Sequence, residues 1–361
     1  MKKTFIFIAL AVLGSLTCRA QENYQISGKV SGMNAGTLLL VRDDGMKPDT
    51  VATTDLKNGV FVFAGKTNAP FGGYITTGDG SLTIPIVVEP ANIMINVTPN
   101  GALVQGGKQQ QLFAAYNLIG QAFAAEQARI QAEAQQPGAD INALQARVDQ
   151  AYRQSMEKTN DLIRANANEY ATAYVIAIGA RNETPESLQQ KYNLLGEEAK
   201  ASVPGKRIEA TIERFDKLEP GKDAPDFTAN MPNGDSFSLH ALPARFKLIV
   251  FWTSTDNASR QMNPALIQLY QKFRPRGLEI VSVSLDDNLM AWRKAIELDG
   301  ISIWTNGSDL KGWNSDIANL YMVNAVPYTV LVGDENKIAA KGLSVDEITR
   351  QLNALTKKKK K

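Results

Sequence analysis

The stretch that decides the fold of the C-terminal part of the chain is KLIVFWTSTDNASR, residues 247–260. Residues 248–252 are consecutive apolar side chains, which is typical of a strand buried on both faces. Small polar residues follow, and Asp256 stands where an N-cap belongs, before an amphipathic segment that continues to Phe273. This stretch therefore predicts a buried strand that leads directly into a helix.

Strand and helix alternate on both sides of this stretch, over residues 218–356. The further predicted strands are LEIVSVSL (278–285), YTVLVGD (328–334) and KIAAKG (337–342). Helices are predicted at residues 262–273, around 290–298 and from Val345 onward. Such alternation predicts an α/β domain whose sheet contains parallel pairs and is covered by helices on both faces.

Four motifs in this region resemble the thioredoxin-like fold, specifically the exported thiol–disulfide oxidoreductases and the peroxiredoxin-related redoxin domains. They are GKDAPDF (221–227), the strand that ends in Phe251-Trp252, the strand at 280–285, and VPYT (326–329). The resemblance implies a thioredoxin-like domain over residues 218–356. It also implies that Pro327 is a cis proline beside the place where family members carry their reactive residues.

The chain departs from the family at the two residues that react. In the family, the strand ending in Phe-Trp leads to a Cys-x-x-Cys motif in the first turn of a helix, and here Asp256 and Ser259 occupy the two cysteine positions. A thiol at a helix N-terminus has a lowered pKa, and a second thiol three residues later resolves the mixed disulfide. Because Asp256 and Ser259 can do neither, we expect a redox-inactive family member without catalytic residues in this motif.

Other chemistry lacks its usual residues. A serine hydrolase needs a base, and a metal site needs several converging ligands. His240 is the only histidine and Cys18 the only cysteine, so we expect no metal site and no cofactor. Asp286 and Asp287 follow a strand, where α/β proteins bind ligands, although two adjacent aspartates at such a place are more typical of a turn and a helix cap.

The resemblance also implies a binding edge. In thioredoxin-like proteins the residue before the cis proline, here Val326, offers its backbone to an extended partner peptide. Trp252, Thr255, Pro327 and Tyr328 are expected to surround it as an apolar, aromatic groove. In the alternative interpretation, Trp252 packs under the helix and Pro327 serves only the turn.

The expected function is therefore binding of a protein, a peptide or a small ligand, with an unidentified envelope protein or peptide as the partner. One alternative is a thiol–disulfide oxidoreductase that acts in cell redox homeostasis, as the family implies. A second alternative is a structural or assembly protein that works through its helical region.

Two further segments precede the α/β domain. Residues 21–106 contain short β-rich runs separated by Gly, Asn, Asp and Pro, which predicts a small all-β, sandwich-like domain. Residues 107–217 form a helical region, with a turn predicted at QQPG (135–138) and an apolar helix seam at Leu112, Tyr116, Ile119, Phe123 and Ile130. The arrangement is similar to exported Gram-negative proteins that carry a β-rich domain of unknown function and a helical region ahead of a thioredoxin domain.

The chain ends predict export. Residues 1–20 have the pattern of a signal peptide, with two early lysines and a short apolar run, and cleavage before Gln21 would give a periplasmic protein. The alternative is a lipoprotein anchored through Cys18, the only route by which membrane contact is expected.

Of the 39 basic residues, three lie in residues 1–20 and five in the lysine tail 357–361, so 31 basic residues stand against 37 acidic ones. We therefore expect no nucleic-acid binding.

Overall fold

The computed structural model describes residues 22–44 and 48–357. The predicted signal peptide, the alternative lipid attachment at Cys18 and residues 358–361 of the lysine tail lie outside this range. The chain divides into two compact units, one formed by residues up to 178 together with 191–207, the other by residues 179–190 together with 208 onward. The domain boundaries predicted at residues 106 and 217 stay predictions.

The first unit contains a sheet that has eight strands among the described residues, in the order β6-β5-β2-β3-β4-β1-β7-β8. The strands are β1 Glu22–Val30, β2 Ala35–Arg42, β3 Asp49–Lys57, β4 Val60–Thr67, β5 Phe71–Thr77, β6 Thr83–Val88, β7 Asn92–Thr98 and β8 Gly101–Gln105. Side chains alternate across the sheet, so that Phe61 and Phe63 are buried while Val60 and Val62 are exposed. The predicted all-β domain is confirmed.

The helical region follows the sheet. Its helices are α1 Lys108–Ala134, α2 Ile141–Ala165, α3 Tyr170–Gly179, α4 Pro185–Leu194, α5 Glu197–Ala201 and α6 Val203–Lys217. The turn predicted at residues 135–138 joins α1 to α2. Of the predicted seam, Leu112, Tyr116 and Ile130 are buried, whereas Ile119 and Phe123 are only half-buried.

The second unit contains a sheet that has seven strands in the described part of the chain, in the order β10-β9-β13-β12-β11-β14-β15. The strands are β9 Thr228–Asn230, β10 Ser236–Ser238, β11 Phe246–Trp252, β12 Leu278–Ser284, β13 Thr305–Ser308, β14 Tyr328–Val332 and β15 Ile338–Lys341. Besides parts of α4 and α6, this unit contains the helices α7 Asn257–Phe273, α8 Leu289–Asp299, α9 Asp316–Leu320 and α10 Val345–Lys357. Strand β11 runs parallel to β12 and antiparallel to β14, so the predicted α/β fold with parallel strand pairs is confirmed.

Strand β11 is the centre of this unit. All seven of its residues are buried, because helices cover the faces of the sheet and neighbouring strands cover both edges of β11. Trp252, Leu266 of α7, Trp292 of α8 and Ile348 of α10 belong to one core cluster. Packing in this core fixes the position of the end of β11 relative to the start of α7.

Candidate functional site

The register of the sheet brings three segments to one edge. Trp252, the last residue of β11, pairs with Ser284 at the end of β12, and Phe251 lies opposite Tyr328, the first residue of β14. The loop 253–256, the turn after β12 and the Val326-Pro327 segment are therefore neighbours. The Val326–Pro327 peptide bond is cis, as the family resemblance implied.

The two motif positions form the N-terminal cap of α7. The Asp256 carboxylate accepts a hydrogen bond from the backbone N–H of Ser259, at 2.6 Å, and so satisfies one of the free N–H groups of the first turn. Ser259 is only 2% exposed, and within the described residues its hydroxyl has no hydrogen-bond partner. At the first cysteine position of the motif, the Asp256 carboxylate thus caps the helix, and at the second position the Ser259 hydroxyl is buried.

The loop between β11 and α7 is held by Asp286. Its carboxylate accepts hydrogen bonds from the Ser254 backbone N–H at 3.1 and 3.2 Å and from the Ser254 hydroxyl at 2.7 Å. It also accepts one from the Ser284 hydroxyl at 2.6 Å. Asp286 is 7% exposed, and the cap of α8 is Asn288 instead. Asp286 therefore clamps the loop that carries the motif, a role that the sequence prediction of a ligand site or a helix cap missed.

The residues expected around the groove differ in exposure. Thr255 is exposed, and Val326, Pro327 and Tyr328 are half-buried. Trp252 is 2% exposed and lies in the core cluster with residues of α7, which agrees with the alternative that it packs under the helix. The solvent-accessible edge therefore consists of Thr255 and the segment 326–328.

An ion pair anchors the first turns of α7. The Arg260 guanidinium donates to both carboxylate oxygens of Asp299 at the end of α8, with distances of 2.5 and 3.0 Å, and Asn263 donates to the same carboxylate at 2.8 Å. The hydrogen bond from Arg260 is the main reason why the pKa of Asp299 lies below its usual value. This contact joins the N-terminal part of α7 to the C-terminal end of α8.

His240 lies at the opposite end of β11. Its ring Nε2 is 2.7 Å from the carbonyl oxygen of Ala224, and its own carbonyl oxygen accepts a hydrogen bond from the Lys247 ammonium at 3.4 Å. A seven-residue strand is about 20 Å long, so His240 is too far from Ser259 to act on it as a base. Within residues 22–44 and 48–357, no three His, Cys, Asp or Glu side chains are grouped so that they could hold a metal ion.

The fold and the site define a thioredoxin-like protein whose motif positions hold Asp256 and Ser259. Comparison with known families agrees: residues 245–338 match the thioredoxin-like family model, and residues 24–113 match a domain of unknown function, DUF4369. Among curated proteins, the chain is 24% identical over 123 residues to the thiol-disulfide oxidoreductase ResA of Bacillus subtilis. The aligned residues make up 34% of this chain and 66% of that protein, just under two thirds of its length. ResA of Bacillus thuringiensis (strain Al Hakam) is 24% identical over 143 residues, 40% of this chain and 80% of that protein.

The C-terminal part of the chain is therefore a thioredoxin-like domain, similar in sequence to thiol–disulfide oxidoreductases. Solved structures of similar sequence include the thioredoxin domain of a thiol-disulfide oxidoreductase from Bacteroides vulgatus. It is 31% identical, with a TM-score of 0.36, over 38% of this chain and 99% of that chain. A thioredoxin-like protein from Bacteroides caccae is 20% identical, with a TM-score of 0.40, over 60% of this chain and 87% of that chain.

None of the helices in the described part of the chain combines the length and the apolar character that a membrane span requires.

Proposed function

We propose that the C-terminal domain is a redox-inactive member of its family that binds extended polypeptide at the edge formed by Thr255, Val326 and Pro327. The relatives are named as thiol–disulfide oxidoreductases, and that chemistry requires a thiolate. Residues 22–44 and 48–357 contain no cysteine. The alternative, a thiol–disulfide oxidoreductase as the family implies, would need a thiol from outside these residues.

The replacement of the first cysteine by Asp256 supports this proposal. A helix N-terminus stabilises a negative charge, and in a thiol enzyme this charge is the reactive thiolate. Asp256 places a carboxylate there that is chemically inert toward disulfides, and its hydrogen bond to the Ser259 N–H stabilises the helix. The local electrostatics of the family motif are kept without its reactivity.

The observation that carries the binding role is the free backbone of Val326. Among the described residues, neither its N–H nor its carbonyl oxygen has a hydrogen-bond partner, although the residue is half-buried. Strand β14 begins only at Tyr328, so Val326 stands just outside the sheet ladder. An extended peptide could pair with both groups, in the manner of strand addition, and Thr255 would contact its side chains.

The test uses a permanently unfolded probe, reduced and carboxymethylated α-lactalbumin, titrated into ¹⁵N-labelled protein. We expect amide shifts concentrated at Thr255 and Val326, and weaker binding in Thr255→Arg. Gln351→Arg places the same side chain on an exposed position of α10 and serves as the matched control. Equal affinities for the two variants, or shifts confined to other surfaces, would contradict the binding role.

We also propose that the protein is exported, with residues 1–20 removed before Gln21. The support is the sequence pattern of those residues, since they lie outside the described structure. The mass of the protein recovered from the periplasm tests this: a chain that begins at Gln21 is expected. A lipid-modified chain that begins at Cys18 would establish the lipoprotein alternative instead.

A further inference from the structure

The second unit contains a cavity of about 170 Å³ that lies apart from the loop 253–256. The side chains that form its floor are apolar or aromatic: Phe215, Leu218, Tyr321, Met322, Tyr328 and Val330. Tyr328 is half-buried and the other five are buried. A dry cavity of about 150 Å³ is large enough to bind benzene. The volume of this cavity therefore suits one six-membered ring or a short branched alkyl chain.

The floor is held in place before any ligand arrives. The Tyr321 hydroxyl donates to the carbonyl oxygen of Pro225 at 2.6 Å. Its ring contacts Phe251 and Phe227, with centroid distances of 5.6 and 6.0 Å. Rigid walls lower the ordering cost of binding, so the cavity has the properties of a preformed ligand site.

Two polar groups that line the cavity lack a partner of their own. In the described part of the chain, the Tyr328 hydroxyl makes no hydrogen bond, and burial raises the pKa of Tyr328, which keeps the group a donor. The Arg181 side chain is exposed and has no carboxylate within ion-pair distance among the same residues. The other cation of the lining, Lys341, is already paired with Glu219 at 2.5 Å.

The charge around Arg181 favours an anion. Arg214 donates to the backbone carbonyl of Asn319 and is not paired with a carboxylate among the described residues; burial and the nearby charge of Arg181 lower its pKa. Glu183 also lines the cavity, and its carboxylate accepts a hydrogen bond from the Ser187 hydroxyl at 2.6 Å. A ligand carboxylate near Arg181 would supply the negative charge that these two guanidinium groups lack.

We propose that this cavity binds a carboxylate that carries a single apolar ring or a short apolar chain. The apolar body would fill the space over Tyr321 and Val330, and the carboxylate would meet Arg181 and the Tyr328 hydroxyl. Such a group is presented both by a small free acid and by the C-terminal residue of a polypeptide. The site goes beyond the proposed function and does not depend on it, because it uses neither Thr255 nor the backbone of Val326.

The test is a calorimetric titration with 3-phenylpropionate, with the neutral 3-phenylpropionamide as the matched ligand. We expect the acid to bind and the amide to bind at least tenfold more weakly, since hydrogen bonds to charged groups are about twice as strong as neutral ones. The tripeptide Ala-Ala-Phe identifies the source: if it binds as well as the acid, a polypeptide C-terminus is the ligand, and if only the acid binds, a free small molecule is.

Variants locate the binding. Arg181→Gln changes an exposed side chain and should weaken binding of the acid by about tenfold, whereas Arg276→Gln, an exposed arginine after α7, should leave it within twofold. Val330→Phe fills the cavity and should abolish binding; if that variant does not fold, Arg181→Gln decides alone. Equal binding of acid and amide, no binding of the acid, or no effect of Arg181→Gln would overturn the proposal. Thr255→Arg should leave this affinity unchanged, which separates the cavity from the polypeptide edge.

Discussion

Replacing Asp286 by alanine should destabilise the second unit by about 3 kcal/mol. Hydrogen bonds to a charged group each contribute about 1.5–3 kcal/mol, and Asp286 accepts them from the Ser254 N–H, the Ser254 hydroxyl and the Ser284 hydroxyl. The full sum is not expected, because Ser254 is half-buried and water can replace the carboxylate there. Ser284 is completely buried, so its hydroxyl would lose its acceptor without compensation.

Urea denaturation followed by tryptophan fluorescence measures this effect directly. All four tryptophans, Trp252, Trp292, Trp304 and Trp313, lie in the second unit, so the signal reports that unit alone. The exposed neighbour gives the control, since Asp287→Ala should change the free energy of unfolding by no more than about 0.5 kcal/mol. If Asp286→Ala stays within that margin of Asp287→Ala, Asp286 does not hold the loop and the account of the site is wrong.

Two further predictions concern the start of α7, and the same fluorescence measurement checks both. Asp256→Ala removes the N-cap and should cost about 1 kcal/mol, while Asp256→Asn, which can still accept the bond from the Ser259 N–H, should cost less; equal losses would argue against capping. The hydrogen bond from Arg260 is the main reason why the pKa of Asp299 is lowered. The ion pair therefore stabilises the folded protein above the ordinary aspartate pKa of about 3.9, and this stabilisation is lost as the pH falls below that value. Between pH 5 and pH 3 the wild-type protein should therefore lose more stability than Asp299→Asn, and parallel pH profiles would contradict the ion pair.

The sequence predicts the elements whose signal is local. Residues 248–252 form an unbroken apolar run, and Asp256 precedes an amphipathic segment, so β11 and α7 could be placed from these residues alone. Strand β13 could not, because Thr305–Ser308 contains no apolar side chain and becomes a strand only through its parallel pairing with β12. Strand β3, Asp49–Lys57, is also largely polar, so its residues alone give only a weak strand signal.

The candidate site also contains residues that a local sequence pattern predicts and residues that only distant contacts bring together. The positions of Asp256, Ser259 and Pro327 follow from motifs within a few residues. The clamp by Asp286 joins residues 32 positions apart, and the cavity collects residues between Arg181 and Lys341. Contacts over such separations depend on how strands pair and helices pack, which no local pattern specifies. The sequence contains one local indication of this role: Ser284, two residues before Asp286 at the end of β12, donates to its carboxylate.

The most direct test of the central claim is an insulin disulfide reduction assay on protein that begins at Gln21, with dithiothreitol as the electron source. We expect the wild-type protein to leave the rate at that of dithiothreitol alone, because it has no thiolate at positions 256 and 259. The double variant Asp256→Cys, Ser259→Cys should accelerate reduction, since the strand, the helix N-terminus and the cis proline are already in place. Acceleration by the wild-type protein would contradict the claim that this family member is redox-inactive.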